Sequence, residues 1–387
     1  MISFWRVGLG LLAAVMLSGA VGAQEPSQPR PLLMSAVRDE QFITGTDLYR
    51  LANDTWEAVT TDGYKGGFSL SPTGFIMAYQ SVPNALRPVV EGGAGWLAGA
   101  VWDLRLLDLT TGESRLIAAQ PAGFAVEDDG QIRNGVTRST PVWSPDGAAL
   151  AWTEQDYPAT GMARLMVYDL VSGETRTLDA ELPQVTMSAD GLPRDLTWGH
   201  SDLVISETGV ETLRFYDPKD GLRQVVPAPD DFGEAWLPLA GPLWVAFAGA
   251  DAQVIVQAGP WLWRQVDSET GEITLFCGVL EQMSASSPDT SLRLARDTTQ
   301  PEAAGEWRIV SADGEEIRAF EAGQQPQVVL SPQGERAAFP EGAEIMIYDG
   351  NEFVPAELPS GLSNPRLYWG WTEWRSAPPM NLECSIG

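Results

Sequence analysis

Short apolar segments separated by polar turns recur along most of this chain. In the clearest example, Thr140–Trp143 precedes the turn Ser144–Gly147, and Ala149–Trp152 follows it. A longer polar segment leads to Arg164–Leu170, and a glycine turn then leads to Thr175–Leu178. Apolar segments of about four to eight residues, bounded by Gly, Pro, Asp and Ser, are typical of β-strands. The pattern therefore predicts a unit of four short antiparallel strands.

The four-strand unit occurs six times within the chain, and three of the copies are weak. The copies begin at Ser69, Thr140, Leu196, Leu243, Ser287 and Val328. Internal repetition indicates an architecture in which each unit buries its apolar surface against its neighbours.

Half-units at the two ends of the repeat region indicate how the array closes. Thr46–Leu51 and Trp56–Thr60 match a third and a fourth strand, whereas Pro365–Trp371 matches a first strand and Glu373–Ser376 is a candidate second. Half a unit leaves unpaired sheet edges, and joining the two halves removes them. The sequence thus predicts an all-β fold: a seven-bladed β-propeller of four-stranded blades, with the N- and C-terminal strands sharing the closing blade. The weak copies leave six or eight blades open.

The units resemble the repeats of TolB-type bacterial β-propellers, whose hallmark is Trp-Ser-Pro-Asp-Gly, a short apolar strand and a later Tyr-Asp-Leu-x-x-Gly segment. Trp143–Gly147 and Tyr168–Gly173 match this hallmark, while Ser71–Gly74 and Ser331–Gly334 keep its Ser-Pro-x-Gly part. The resemblance covers nearly all of residues 46–376 and implies a periplasmic or extracellular propeller domain. The family's namesake also has an N-terminal α/β domain, for which we expect no room before Thr46. We therefore expect a stand-alone propeller and do not transfer the Tol–Pal role.

Residues 1–23 have the features of a cleavable signal peptide. Arg6 precedes an uncharged apolar segment, Val7–Val21, and small residues follow it. A retained membrane anchor is the alternative, but the segment is short for a span. We expect an extracytoplasmic protein, periplasmic or secreted, with no membrane span after cleavage. Its predicted parts are a flexible lead-in at residues 24–45, the propeller at residues 46–376 and a C-terminal tail at residues 377–387.

The chain is strongly acidic, with 52 Asp and Glu against 24 Lys and Arg and a formal net charge of −28. This charge disfavours binding to nucleic acid and to anionic membranes. One histidine, His200, and two cysteines exclude multi-histidine metal centres, zinc fingers and iron–sulfur clusters. We expect no cofactor, although calcium is an option that Asp128-Asp129-Gly130 supports weakly.

Export permits a disulfide between Cys277 and Cys384. It would close a long loop and contribute about 4–5 kcal/mol to stability in the chain-entropy model. The alternative is two separate buried thiols.

The lengths of the turns predict which end of the ring carries a binding site. The first-to-second and third-to-fourth strand turns are short, whereas the second-to-third loops and the crossings between units hold the long segments. Because binding residues concentrate on long loops of rigid scaffolds, we expect the binding face at the end with the long segments. Its candidate residues are Arg87, Glu91, Trp96, Asp128, Asp129, Arg133, Glu154, Asp156, Tyr157, Glu234 and Trp236. Acidic groups beside aromatic rings suit a cationic peptide, a sugar or a basic protein patch, but they also fit ordinary solvating charge.

Two functions are compatible with this face. The favoured hypothesis is a non-catalytic scaffold that binds a protein or peptide partner in the cell envelope. The alternative is a carboxylate-based polysaccharide hydrolase or lyase at the mouth of the central channel, where a glycosidase would need two carboxylates about 5–10 Å apart. Gly199-His200-Ser201 does not complete a serine-hydrolase elbow, because the second glycine of Gly-x-Ser-x-Gly is missing. The sequence does not define the oligomeric state.

Overall fold

The computed structural model describes residues 30–41, 43–127, 130–158, 162–182, 194–199, 202–207, 212–227, 245–247, 253–257, 263–276, 278–297, 307–320 and 326–377. Its helices are α1 (Arg87–Glu91) and a 3₁₀ helix (Gly95–Leu97). Its strands are β1 (Leu33–Arg38), β2 (Thr46–Ala52), β3 (Thr55–Ala58), β4 (Lys65–Leu70), β5 (Ile76–Ser81), β6 (Asp103–Asp108), β7 (Ser114–Ala118), β8 (Ala125–Val126), β9 (Ile132–Arg133), β10 (Gly135–Arg138), β11 (Val142–Trp143), β12 (Ala149–Tyr157), β13 (Ala163–Asp169), β14 (Thr175–Leu182), β15 (Arg194–Trp198), β16 (Leu203–Glu207), β17 (Thr212–Asp217), β18 (Gly221–Pro227), β19 (Val245–Phe247), β20 (Gln253–Gln257), β21 (Trp263–Asp267), β22 (Ile273–Leu275), β23 (Val279–Ser284), β24 (Arg293–Asp297), β25 (Trp307–Val310), β26 (Glu316–Ala319), β27 (Val329–Leu330), β28 (Ala337–Glu341), β29 (Glu344–Tyr348), β30 (Phe353–Glu357), β31 (Leu362–Tyr368) and β32 (Thr372–Ala377).

Within these residues the strands form seven sheets of four or five strands and one two-stranded sheet, β8–β9. Sheet I contains β31, β1, β2 and β3, and sheets II to V contain β4–β7, β10–β14, β15–β18 and β19–β22. Sheet VI contains β23–β26 with β32, and sheet VII contains β27–β30. Sheets II to VII match the six predicted copies of the repeat, which confirms the four-strand unit.

The Ser-Pro-x-Gly turns of sheets II and VII and the Ser-Pro-Asp-Gly turn of sheet III share one hydrogen-bond pattern. The hydroxyls of Ser71, Ser144 and Ser331 accept from the backbone N–H five positions later, at 3.2, 2.9 and 3.1 Å. In each turn the glycine N–H donates to the serine carbonyl at 2.8 Å, and the glycine φ lies between +70° and +75°. A left-handed φ is unfavourable for residues with a Cβ, so the turn requires glycine. These local interactions explain why the same residue types recur.

An aspartate at the end of the third strand caps the next turn in five of the sheets. Each Oδ1 accepts from the backbone N–H groups two and three positions later at 2.7–3.0 Å; the residues are Asp108, Asp169, Asp217, Asp267 and Asp349. Hydrogen bonds to a carboxylate favour its charged form. The Thr110 hydroxyl therefore lowers the pKa of Asp108, and turn N–H groups lower the pKa of Asp169, Asp217 and Asp349.

Contacts between neighbouring sheets close the array into a ring. Apolar clusters join sheets I and II, II and III, III and IV, VI and VII, and VII and I. Sheets IV and V meet where the Ser268 hydroxyl donates to Asp202 at 3.2 Å, and β19 of sheet V contacts β32 of sheet VI. The predicted all-β propeller fold is therefore confirmed.

Sheet I joins the two ends of the chain. β31 is its innermost strand and pairs with β1, which is followed outward by β2 and β3. This arrangement confirms that Pro365–Trp371 contributes the first strand, Thr46–Leu51 the third and Trp56–Thr60 the fourth.

Two details of the predicted closing sheet are wrong. Its second strand is β1, which lies inside the segment 24–45 that was expected to be a flexible lead-in. Leu33, Met34 and Val37 are at most 3% exposed; a strand buried on both faces shows no polar alternation, so the pattern missed it. The candidate second strand Glu373–Ser376 belongs instead to β32 of sheet VI.

The chain crosses sheet VII on its way from β31 to β32. The Gly370 N–H donates to the Leu330 carbonyl at 2.9 Å, and a Cβ at Gly370 would lie 2.8 Å from that oxygen. β32 then pairs with β23 from Thr372↔Ser284 to Ala377↔Val279. Because the other edge of β23 pairs with β24, β32 adds a strand on the inner side of sheet VI.

Candidate functional site

The strand register shows which end of the ring carries the long segments. In sheet II, Lys65 pairs with Ser81, which pairs with Asp103, so these three residues lie at one end. The long segments 82–102 and 119–134 leave the sheets at this end. We call it the long-loop face, and the opposite end, with the Ser-Pro-x-Gly turns, the short-turn face.

The long segments of sheet II fold into a packed unit. Segment 82–102 contains α1 and the 3₁₀ helix, and segment 119–134 contains β8 and β9. The buried members of their shared apolar cluster are Val82, Leu86, Val90, Leu97, Ala98, Ala100, Val101, Trp102 and Ile132. These two long segments are therefore packed and partly regular in structure. Leu86, Val89 and Val90 have the three- and four-residue spacing of a helix, which was the signal in the sequence.

Arg87 and Glu91 belong to an interaction network on α1. The Tyr64 hydroxyl donates to Glu91 Oε1 at 2.7 Å, and the Arg87 guanidinium carbon lies 4.8 Å from the Tyr64 ring centroid. Arg87 also lies 3.3 Å from Asp62 Oδ2, and Asp62 pairs with Lys65. Burial raises the pKa of Asp62, but the hydrogen bond and charge of Lys65 outweigh this effect and lower it.

The network continues to a fully buried carboxylate in sheet I. Asp47 accepts from Lys65 at 3.3 Å, from the Thr60 hydroxyl at 2.8 Å and from the Gly63 N–H at 3.1 Å, and it pairs with Arg38. The Lys65 side chain is only 4% exposed. These interactions compensate the buried charges and fix the contact between sheets I and II.

Glu154 and Asp156, at the end of β12, are also compensated. Glu154 lies 3.0 Å from Arg138 Nε and 3.1 Å from Arg164 Nε, and Arg164 reaches Asp156 at 2.9 Å. Arg138 is buried and donates to the Trp102 carbonyl at 2.6 Å. Glu154 therefore stabilises the long-loop face from within, whereas Asp156 pairs with Arg164 at its half-exposed surface.

The other candidate residues are scattered or outside the described part. Tyr157 packs against the apolar cluster of the long segments, and Arg133 pairs with Glu127. Trp96 lies in the 3₁₀ helix. The candidates Asp128, Asp129, Glu234 and Trp236, together with His200, Cys277 and Cys384, lie outside the described residues. The disulfide and the calcium option stay predictions.

A cavity of about 490 Å³ opens at the inner ends of sheets I and II on the long-loop face. Residues of the innermost strands β31 and β4 border it, together with Thr140 of sheet III and Gln327, which precedes β27 of sheet VII. It therefore lies at the mouth of the central channel. Its polar lining includes Lys65, Gln80, Gln327, Asn364 and Arg366, and its apolar walls include Phe68 and Trp102. Among the residues that the structure describes, no Asp or Glu lines it.

A bulge at Gly67 shapes this channel-mouth cavity. The pairing of β4 with β5 shifts register at this point, and the Gly67 φ is +46°. A Cβ there would lie 2.2 Å from Gln80 Oε1 and 2.3 Å from Thr140 Oγ1. Gln80 in turn donates to the Arg138 carbonyl at 2.6 Å, which links sheets II and III. The sequence analysis missed these lining residues; the adjacent glycines at the start of an inner strand were the available signal.

No cluster of three or more His, Cys, Asp and Glu side chains within the described ranges is placed to hold a metal ion. The same ranges contain no helix long and apolar enough to cross a membrane.

Solved structures resemble this chain in fold at low sequence identity. TolB from Acinetobacter baumannii is 14% identical with a TM-score of 0.41, and the match covers 87% of this chain but 66% of TolB, just under two thirds. The periplasmic gluconolactonase PpgL of Pseudomonas aeruginosa is 12% identical (TM-score 0.49; 87% of this chain, 98% of that one). Oligogalacturonate lyase in complex with manganese is 16% identical (TM-score 0.45; 81% and 83%). No family model and no curated protein matches. At these identities and TM-scores the solved structures assign neither a family nor an activity to this chain.

Proposed function

We propose that this protein is an exported, non-catalytic β-propeller that binds an extended segment of a protein partner at the channel mouth on its long-loop face. In this proposal sheets I to VII are seven blades, and residues 1–23 direct export to the periplasm or the medium. The ring of contacts between consecutive sheets supports the blade count. The observation that carries the proposed function is the channel-mouth cavity, whose volume lies within the range of about 300–1,000 Å³ of ligand sites.

Strand pairing inside the ring supports an extended ligand. β32 already lies against the inner edge of β23, as an added strand would. The inner strands β31 and β4 border the cavity and have one sheet neighbour each in the described structure. The Gln327 amide already binds the Pro365 carbonyl and the Leu367 N–H of β31, so an extended peptide would pair through its main chain with the free edge of β4.

The charge of the cavity favours an acidic partner segment. Arg366 is exposed, and no described carboxylate forms a salt bridge with it. Lys65 contributes a second, internally paired cation. This lining differs from the acidic mouth and cationic partner that the sequence suggested. A carboxylate of the partner, from a side chain or a C-terminus, would form a charge-assisted hydrogen bond with Arg366.

A carboxylate-based polysaccharide hydrolase needs two carboxylates facing one another across the cavity, and a carboxylate-based lyase needs at least one carboxylate there. No described Asp or Glu lines it, and the nearby acids Glu154 and Asp62 are held in ion pairs. Binding is therefore the better-supported function.

A peptide-library selection on the full mature chain tests this proposal. Selected peptides are measured by fluorescence anisotropy against wild type, Arg366→Gln and, as the control on the opposite face, Arg336→Gln. We expect acidic peptides whose affinity falls at least about 10-fold in R366Q, because a hydrogen bond to a charged group is lost, and stays unchanged in R336Q. Equal affinity for wild type and R366Q would overturn the proposed site, and hydrolysis or elimination on polysaccharides would overturn the non-catalytic function.

A further inference from the structure

A second cavity lies on the short-turn face, opposite the channel-mouth site. Its volume is about 550 Å³. It is enclosed by the segment before β1, the β2–β3 turn, the two short turns of sheet II, the start of β28 and the end of β31. Three consecutive members of the ring, sheets VII, I and II, therefore meet around it.

The charge of this cavity is opposite to that of the chain. Arg30, Arg50 and Arg336 line it, and no Asp or Glu does so in the part of the chain that the structure describes. Acidic residues outnumber basic ones by 52 to 24 in the sequence. The described lining of this cavity is thus positively charged, whereas the chain as a whole is negatively charged.

Two of the three guanidinium groups stack on aromatic rings. The Arg30 guanidinium carbon lies 5.2 Å from the Phe75 ring centroid, and that of Arg336 lies 5.2 Å from the Trp369 ring centroid. Trp369 is buried, and its indole N–H donates to the Arg30 carbonyl at 3.0 Å. This hydrogen bond ties the Arg30 segment to the end of β31. Stacking orients the flat guanidinium groups and leaves their N–H edges available.

The hydrogen-bonding capacity of these groups is largely unused. Arg30 donates one bond, to the Pro72 carbonyl at 3.4 Å, and burial lowers its pKa. Neither Arg30 nor Arg336 forms a salt bridge with a described carboxylate. The charge of Arg336 contributes to the lowered pKa of Asp349, but the Asp349 carboxylate already accepts hydrogen bonds from two turn N–H groups. Arg50 is different, because Glu57 binds it through two bonds at 3.0 and 2.8 Å.

We propose that the short-turn cavity binds a small organic anion, in which a carboxylate or phosphate group is held by Arg30 and Arg336. The planar donors of arginine match both groups. The walls contain Leu32, Phe75, Leu109, Ile347 and Trp369, so the rest of the ligand is apolar or aromatic. This site lies on the other face from the proposed peptide site, and the two proposals stand or fail separately.

Phenyl phosphate, benzoate and the neutral analogue benzamide are suitable probes, each titrated into the full mature chain by isothermal titration calorimetry. We expect at least one anion to bind at least about 10-fold more tightly than benzamide, because only the anion makes charge-assisted bonds. Arg336→Gln and Arg30→Gln should each weaken that anion by a similar factor. Arg105→Gln, which lies outside both cavities, is the matched control and should leave it unchanged. The affinities of phenyl phosphate and benzoate, compared with each other, show whether the site prefers a phosphate or a carboxylate group.

Three results would overturn the proposal: no saturable binding of either anion, equal binding of benzamide, or anion binding that survives both arginine substitutions. Unchanged thermal denaturation of R336Q, whose side chain is exposed, keeps lost binding distinct from lost folding. Glu25→Gln is tested in parallel, because Glu25 precedes Arg30 by only five positions. A gain of affinity in E25Q would support an anion site, because removing an acid close to Arg30 in the sequence then strengthens binding of the probe.

Discussion

The two faces of the ring use arginine and lysine in different ways. On the long-loop face, Lys65 and Arg138 are buried and saturated by carboxylates and carbonyls. On the short-turn face, Arg30 and Arg336 rest on aromatic rings and form no salt bridge with a described carboxylate. Lys65 and Arg138 are therefore structural, whereas Arg30 and Arg336, like the exposed Arg366 at the channel mouth, are available to a ligand. Exposure and pairing, and not the number of charges, distinguish the two roles.

The largest difference between the two faces is expected in how much an arginine substitution lowers the free energy of unfolding. Arg138→Met removes the Arg138 donor from the Ala119 carbonyl, one of the two side-chain donors to the Trp102 carbonyl, and one partner of Glu154. Breaking a buried pair in this way should lower the free energy of unfolding by about 3–5 kcal/mol. The control is Arg50→Met, whose pair with Glu57 is exposed and should cost less than about 1 kcal/mol. Urea unfolding measures both, and similar costs would contradict the division between the faces.

Replacing one glycine on each face by alanine gives a second comparison of the stability of the two faces. Gly67→Ala and Gly74→Ala both place a Cβ at positive φ, which costs about 1–2 kcal/mol. At Gly67 the new Cβ also meets Gln80, which is fixed by its hydrogen bond to Arg138, so G67A should cost about 1–3 kcal/mol more through overpacking. At Gly74 it meets the flexible Arg30 side chain, which can move away. Thermal denaturation compares the variants, and a larger loss in G74A would show that Arg30 is held rigidly.

The smallest effect concerns acid stability, where the faces should differ in sign. On the short-turn face the pKa of Asp349 is lowered from 3.8, mainly by the Glu352 N–H. Its stabilising contribution is therefore complete above that value and is lost as the pH falls through the folded-state pKa. At the long-loop end, burial raises the pKa of Asp103, so its ionised form costs stability at neutral pH and acidification relieves that cost.

Asp349→Asn and Asp103→Asn isolate these two contributions. Melting temperatures from neutral pH to below the ordinary aspartate pKa should fall less steeply in D349N than in wild type, and more steeply in D103N. Parallel changes in the two variants would contradict the assignment.

The local parts of this fold were predictable from sequence because they rest on interactions within a few positions. The Ser144 hydroxyl reaches an N–H five residues away, and the Asp169 carboxylate reaches two N–H groups within three residues. Each repeated turn therefore leaves a repeated residue pattern, which predicted the six internal sheets.

The unpredicted parts depend on contacts between distant residues. β1 pairs with a strand more than three hundred positions later, and Arg138 binds a carbonyl 36 positions away. The candidate residues Glu154 and Glu91 were chosen as exposed acids, yet their partners Arg138 and Tyr64 neutralise or engage them through tertiary contacts. Both cavities arise where several sheets meet, so no single segment carries their pattern.

The C-terminal strands close this ring at two places, by the pairing of β31 with β1 and of β32 with β23. Solenoid arrays expose a first and a last repeat, from which they fray. Here the chain leaves sheet I after β31, contacts sheet VII at Gly370 and joins sheet VI as β32. Fewer than twenty consecutive residues therefore connect three neighbouring sheets. Detaching β32 alone leaves the pairing of β31 with β1 intact, and detaching β1 alone leaves the pairing of β32 with β23 intact, so both pairings have to be broken before the sheets can separate.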